Sequence, residues 1–133
     1  MAFNIIGIKI KRMNIEAFRE YCIIKAGTEE CFPFDESTLV FKVMGKMFAL
    51  TSLSNEDFRV NLKCDPDWAI ELREMSEDIL PGYHMSKKHW NTVVLENSHL
   101  EEDLILKMID HSYELVVNSL TKKIQDELKK FEE

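Results

Sequence analysis

The chain has 133 residues, 45% of them hydrophobic and 31% charged, and a formal net charge of −7. This balance fits one globular domain with a core of its own and excludes a disordered polyampholyte. No apolar run approaches the roughly 18 residues needed to cross a bilayer, so no membrane association is expected. Cys22, Cys31 and Cys64 are odd in number and lack CxxC spacing, which predicts a reduced, cytoplasmic protein rather than a disulfide scaffold.

The first twelve residues, MAFNIIGIKIKR, place their charge after the apolar stretch, the reverse of a signal peptide. Met13 stands directly before a good helix opening. Residues 1–12 are therefore expected to be an N-terminal extension, and 13–133 a single domain. Asn14 is placed to cap a helix over Ile15–Ala26 with Phe18 and Cys22 inward, and Gly27 suits the left-handed residue after it. A loop is predicted from Thr28 to Ser37, with Phe32 and Phe34 plugging the edge of the core.

Thr38–Val43 and Lys46–Ser52 read as a hairpin turning at Met44-Gly45. A plain two-residue turn sets Val43 opposite Lys46, Phe41 opposite Phe48 and Leu39 opposite Leu50. Phe58–Lys63 alternates Val60 and Leu62 inward with Arg59, Asn61 and Lys63 outward. Asp65-Pro66 opens a helix carrying Trp68, Leu72 and Met75. Pro81-Gly82 breaks the chain, Tyr83–Met85 reads as a short strand and His89–Leu95 as a longer one. Ser98 and Glu101 resemble a capping box opening one long helix to about Phe131, striped by Ile105, Ile109, Ser112, Val116, Leu120 and Ile124. The order α-β-β-β-α-β-β-α predicts an α+β, two-layer domain, an antiparallel sheet with helices packed on one side.

The acidic excess is unevenly spread. Lys42, Lys46, Arg59 and Lys63 outnumber Glu56 and Asp57 between Leu39 and Cys64, and Lys87-Lys88 stand unopposed between Pro81 and Leu95. A local basic patch can engage phosphates on an acidic protein. Catalytic signals are weak. His84 and His89 with Cys31 and Cys64 have no zinc-ligand spacing, Cys64 has no nucleophile-elbow context, and the four isolated glycines form no phosphate loop. No metal, cofactor or catalytic residue is assigned.

The motifs Phe32-Pro33-Phe34, Thr38–Val43, Lys46–Leu50, Val60–Pro66, Pro81–Met85, Lys87–Asn91 and Asp110-His111-Ser112-Tyr113 resemble, in order, the MmcQ/YjbR family of small bacterial proteins. The resemblance implies a two-layer α+β fold similar to frataxin-like or secretion-chaperone-like domains, and a double-wing DNA-binding role. Its recurrent positions here are Lys42, Lys46, Arg59, Asn61, Lys63, Lys87, Lys88, His89 and Asn91. The expected function is non-enzymatic binding of double-stranded DNA. The lysines, Arg59 and His89 would contact phosphates, while Asn61 and Asn91 would reach base edges or sugar. The alternatives are a chaperone-like module holding a protein partner, and a small-anion binder using Tyr83, His84, Lys88 and His89.

Overall fold

The computed structural model describes residues 13–54 and 56–132; the expectation for residues 1–12 lies outside them. Asn14 opens the first helix as its side chain allows, Oδ1 accepting from the Ala17 N–H at 2.8 Å, and α1 runs Ile15–Ile23. Gly27 follows with φ 69°. The next residues, expected as loop, form a strand, β1 (Thr28–Cys31), which pairs antiparallel with β2 (Thr38–Val43). Edge strands need only one partner, so TEEC can extend without the apolar alternation that marks an inner strand. β3 (Lys46–Ser52) and β4 (Arg59–Lys63) complete a meander.

Asp65 caps α2 (Pro66–Met75), its carboxylate accepting from the Asp67 and Trp68 N–H groups. The short strand after it is β5 (Ile79–Pro81), not Tyr83–Met85; the latter lie in a turn in which His84 has φ 59°. Pro81 is tolerated because it ends an edge strand, where a missing ladder N–H costs little. β6 (Trp90–Val94) inserts between β4 and β5. The six strands are ordered β1-β2-β3-β4-β6-β5, all antiparallel.

The C-terminal helix is two helices. α3 spans Glu102–Ser119 and starts without a side-chain cap bond, so Ser98 does not cap it. Leu120 is extended, and Thr121 then caps α4 (Lys122–Lys129), its hydroxyl accepting from Ile124 N–H. Among the described residues no helix is long and apolar enough to cross a membrane.

The fold is α+β, an open antiparallel sheet with the helices on one face. Phe18, Leu72, Ile109 and Leu128, one from each helix, join a single cluster with Phe41, Val60, Leu62 and Val93 of the sheet. The hairpin register differs from the plain two-residue reading. Lys42 pairs with Met47, but Phe41 pairs with Ala49, so Phe48 is an extra residue in β3. Phe48 and Ala49 both reach the helix-side core, and the bulge changes the parity beyond it. Phe41 thus faces Ala49 rather than Phe48, and Val40 faces Leu50.

Candidate functional site

Pairing and alternation assign every strand residue to a face. Leu39, Phe41 and Val43 of β2 and Val60 and Leu62 of β4 face the helices. Lys42, Arg59, Asn61 and Lys63 therefore project from the face that carries no helix. A second, smaller cluster lies on that face: Val40, Leu50 and Trp90, packed by Cys31, Met47 and Met85.

Two lysines share one row of this face. Lys42 pairs with Met47, and Lys63 pairs with Trp90 on the far side of β4. Their backbones stand two strands apart, about 10 Å. Neither has a carboxylate partner among the described ion pairs, although Glu29 lies opposite Lys42 across β1. Next to this row, Asn61 is held by a directed relay. Tyr83 N–H donates to Thr92 Oγ1 at 3.0 Å, and Thr92 donates to Asn61 Oδ1 at 2.5 Å. Because the amide oxygen accepts there, the Asn61 NH₂ is the end left to donate outward.

The strand ends sort the remaining candidates. The β2–β3 turn, the end of β4 at Lys63 and the 82–89 loop all lie at one end of the sheet, since Val43 pairs with Lys46 and Lys63 pairs with Trp90. Lys46, Lys87, Lys88 and His89 are exposed at this end. Lys46 sits opposite core-facing Val43 and so leans toward the helix side. Lys87 turns inward, its Nζ donating to Gly82 O at 3.2 Å, and Arg73 Nη1 donates to Lys87 O at 2.9 Å. The loop is thus tied at its base, with Lys88 and His89 outermost.

Two expected contacts do not belong to this group. Arg59 stands at the opposite end of β4, clamped by both oxygens of Asp57 at 2.9 and 2.7 Å; the pairing raises the guanidinium and lowers the carboxyl. Asn91 is 2% exposed and faces the helices, accepting from Arg73 Nη1 and donating to Ala69 O. A side chain buried and bonded in this way cannot reach a base edge. Phe32 and Phe34, expected to plug the core edge, are exposed instead.

The other readings take different shapes. Tyr83, His84, Lys88 and His89 are all exposed, with the Tyr83 and His84 rings 3.9 Å apart at the loop surface rather than enclosing a pocket. A cavity of about 460 Å³, lined by Met75, Ser76, His99, Leu100, Glu101 and Leu104, lies at the other end of the sheet. Burial pushes the Cys64 thiol up to about 12, opposite to the shift that activates a nucleophile.

The family model YjbR matches residues 24–115. The uncharacterised protein YbdF of Escherichia coli O157:H7 is 39% identical over 97 residues, 73% of this chain and 79% of that protein. YjbR of Escherichia coli K12 is 34% identical over 108 residues, 81% and 91% of the two chains. The crystal structure of Deinococcus radiodurans protein DR2400, which carries a DUF419 domain, superposes with a TM-score of 0.81 at 38% identity, over 87% of this chain and 88% of that one. With a family model matched over residues 24–115, a relative 34% identical over most of both chains and a shared fold, this chain belongs to the YjbR family.

Proposed function

We propose that this domain binds double-stranded DNA without chemistry, holding the phosphate backbone against the basic end of its sheet. The observation that supports the reading is the placement of its two turns. The β2–β3 turn and the 82–89 loop emerge from the same end, separated by three strand spacings, about 14 Å. Lys46 marks one turn and Lys88 the other, and Lys63 ends the strand between them. Two projecting turns with a cation between them can straddle a ridge of phosphates. Asn61 adds a fixed NH₂ donor on the open face. The site is narrower than the sequence suggested: Lys42, Lys46, Lys63, Lys88 and His89, with Asn61, but not Arg59 or Asn91, nor Lys87, whose ammonium donates to Gly82 O.

The test is duplex affinity by fluorescence anisotropy across a salt series. Binding should weaken linearly in log–log form, and Lys63→Ala and Lys88→Ala should each reduce the slope by about 1. Lys122→Ala, whose ammonium pairs with Asp126 on exposed α4, serves as a control and should change little. No measurable duplex binding by the wild type at low salt would remove the proposal.

A further inference from the structure

The antiparallel meander separates charge along the strand direction. At the end opposite the two turns lie the connections 32–37, 53–58, 76–78 and 95–101. Each contains two carboxylates and no lysine or arginine, and Arg59, next to them on β4, pairs with Asp57 alone among the described residues. The turn end carries Lys42, Lys46, Lys63, Lys87 and Lys88 against Glu29, Asp65 and Asp67. One chain therefore presents a cationic end and an anionic end, facing opposite ways.

The anionic end also presents apolar anchors. Phe34 is 65% exposed, with Phe32 at 48% and Leu53 at 49%. Their loops are held in shape. Asp35 Oδ1 accepts from the N–H groups of Ser37 and Thr38 at 2.9 and 2.7 Å, and Leu53 N–H donates to Ser37 O at 2.7 Å. Pro33, between the two phenylalanines, fixes its own φ. Exposed aromatics on an ordered loop lose little entropy on docking, the property that marks an interface anchor. At the cationic end Tyr83 is 67% exposed and Ile24 75% exposed, giving apolar surface beside the lysines.

We infer that the phenylalanine-bearing anionic end docks on the cationic end of a second copy of this chain, in head-to-tail association. The charge complementarity of the two ends selects this occupant. Because the joined surfaces differ, each copy keeps one end free, and the contact is heterologous rather than two-fold. The association stands on its own footing beside the DNA reading, although both engage the lysines of the turn end.

Sedimentation velocity of the full chain tests it. Wild type should form species above monomer mass that grow with concentration at about 0.02 M salt and dissociate at about 0.5 M, where surface charge is screened. Phe34→Ser spoils the anionic end and Lys88→Glu the cationic end. Both side chains are exposed, and circular dichroism verifies that each variant folds. Each variant alone should be monomeric, and their equimolar mixture should form dimers and nothing larger, since one intact end of each kind remains. A wild type that is monomeric at low salt, variants that associate like wild type, or a mixture that stays monomeric would each overturn the inference. Duplex affinity of Phe34→Ser, titrated at a protein concentration where wild type is monomeric, separates the two proposals: it should match wild type if the turn end binds DNA, because no second copy then covers the lysines.

Discussion

Asp110, His111, Ser112 and Tyr113 on α3 each reach a different part of the fold. Asp110 accepts from Tyr21 Oη at 2.8 Å and Lys25 Nζ at 2.5 Å, holding α1. Tyr113 Oη donates to Ala26 O at 2.5 Å, holding the bend after α1. His111 Nε2 accepts from the Asp65 N–H at 3.0 Å, at the start of α2, and its ring meets Trp68 edge-on. Ser112 is fully buried; its hydroxyl donates to Phe48 O at 2.5 Å and accepts from Lys63 N–H at 2.8 Å. It thus bridges β3 and β4 one residue beyond the last pair of their ladder, Ala49 with Leu62. Ser112→Ala should strand both backbone groups in the core, lowering stability by about 2–4 kcal/mol, read as a lower urea midpoint at unchanged slope. His111 gives a pH dependence. Burial holds its imidazole below the ordinary value of 6.5, opposed by Asp65 and Glu114 and helped by Lys107. The unfolded chain takes up this proton at a higher pH than the folded one, so the stabilisation is full above the ordinary value and is lost as pH falls toward the depressed one. The urea midpoint should drop between about pH 7 and pH 5, less so in His111→Gln, whose amide oxygen can accept the same N–H. The sequence showed this quartet as a motif and Ser112 as part of an apolar stripe. Its bonding was hidden because every partner lies at least 46 residues away.

The elements that could be read from sequence were those with a local cause. Asn14 and Asp65-Pro66 specify helix starts through bonds within three residues, and β2, β3 and β4 carry their own alternation. The elements that could not be read owe their form to neighbours. β1 has glutamates at its centre and is a strand because β2 offers an edge, with Glu30 tied to Arg19 of α1. The break at Leu120 interrupts an unbroken stripe, and only the Thr121 cap betrays it. Asn91 was legible: Val93 and Leu95 face the core, so alternation sends Asn91 inward as well. The break lets α4 fold back until Leu128 meets Gly27. A Cβ on Gly27, at φ 69°, would lie 2.5 Å from Leu128 Cδ1, whereas one on Gly45, at φ 86°, would meet nothing within 4 Å. Gly45→Ala should therefore cost only the backbone term, about 1 kcal/mol. Gly27→Ala should cost more, because α4 must also shift. Chemical denaturation of both variants checks the order, and equal losses would mean that α4 is not seated there.

At the scale of the whole molecule, the net charge of −7 describes a sum and not a surface. The strands keep the anionic connections away from the lysines of the turn end by about 20 Å. At about 0.15 M salt the screening length is roughly 8 Å, and at 0.01 M roughly 30 Å. The carboxylates of the far end are thus nearly invisible to a phosphate at the turn end in physiological salt, yet repel it at low salt. Local cations can then act on an acidic protein, and the repulsion has its own signature. Glu36→Gln/Glu56→Gln, changed together at the exposed far end, should strengthen duplex binding at about 0.01 M salt and leave it unchanged at about 0.15 M. Lys63→Ala should weaken binding at both, because a direct contact is not removed by distance. Anisotropy titrations of the three proteins at the two salt concentrations separate these cases. Equal gains for the glutamine pair at both salts would place those carboxylates within a screening length of the DNA, and so move the binding surface away from the turns.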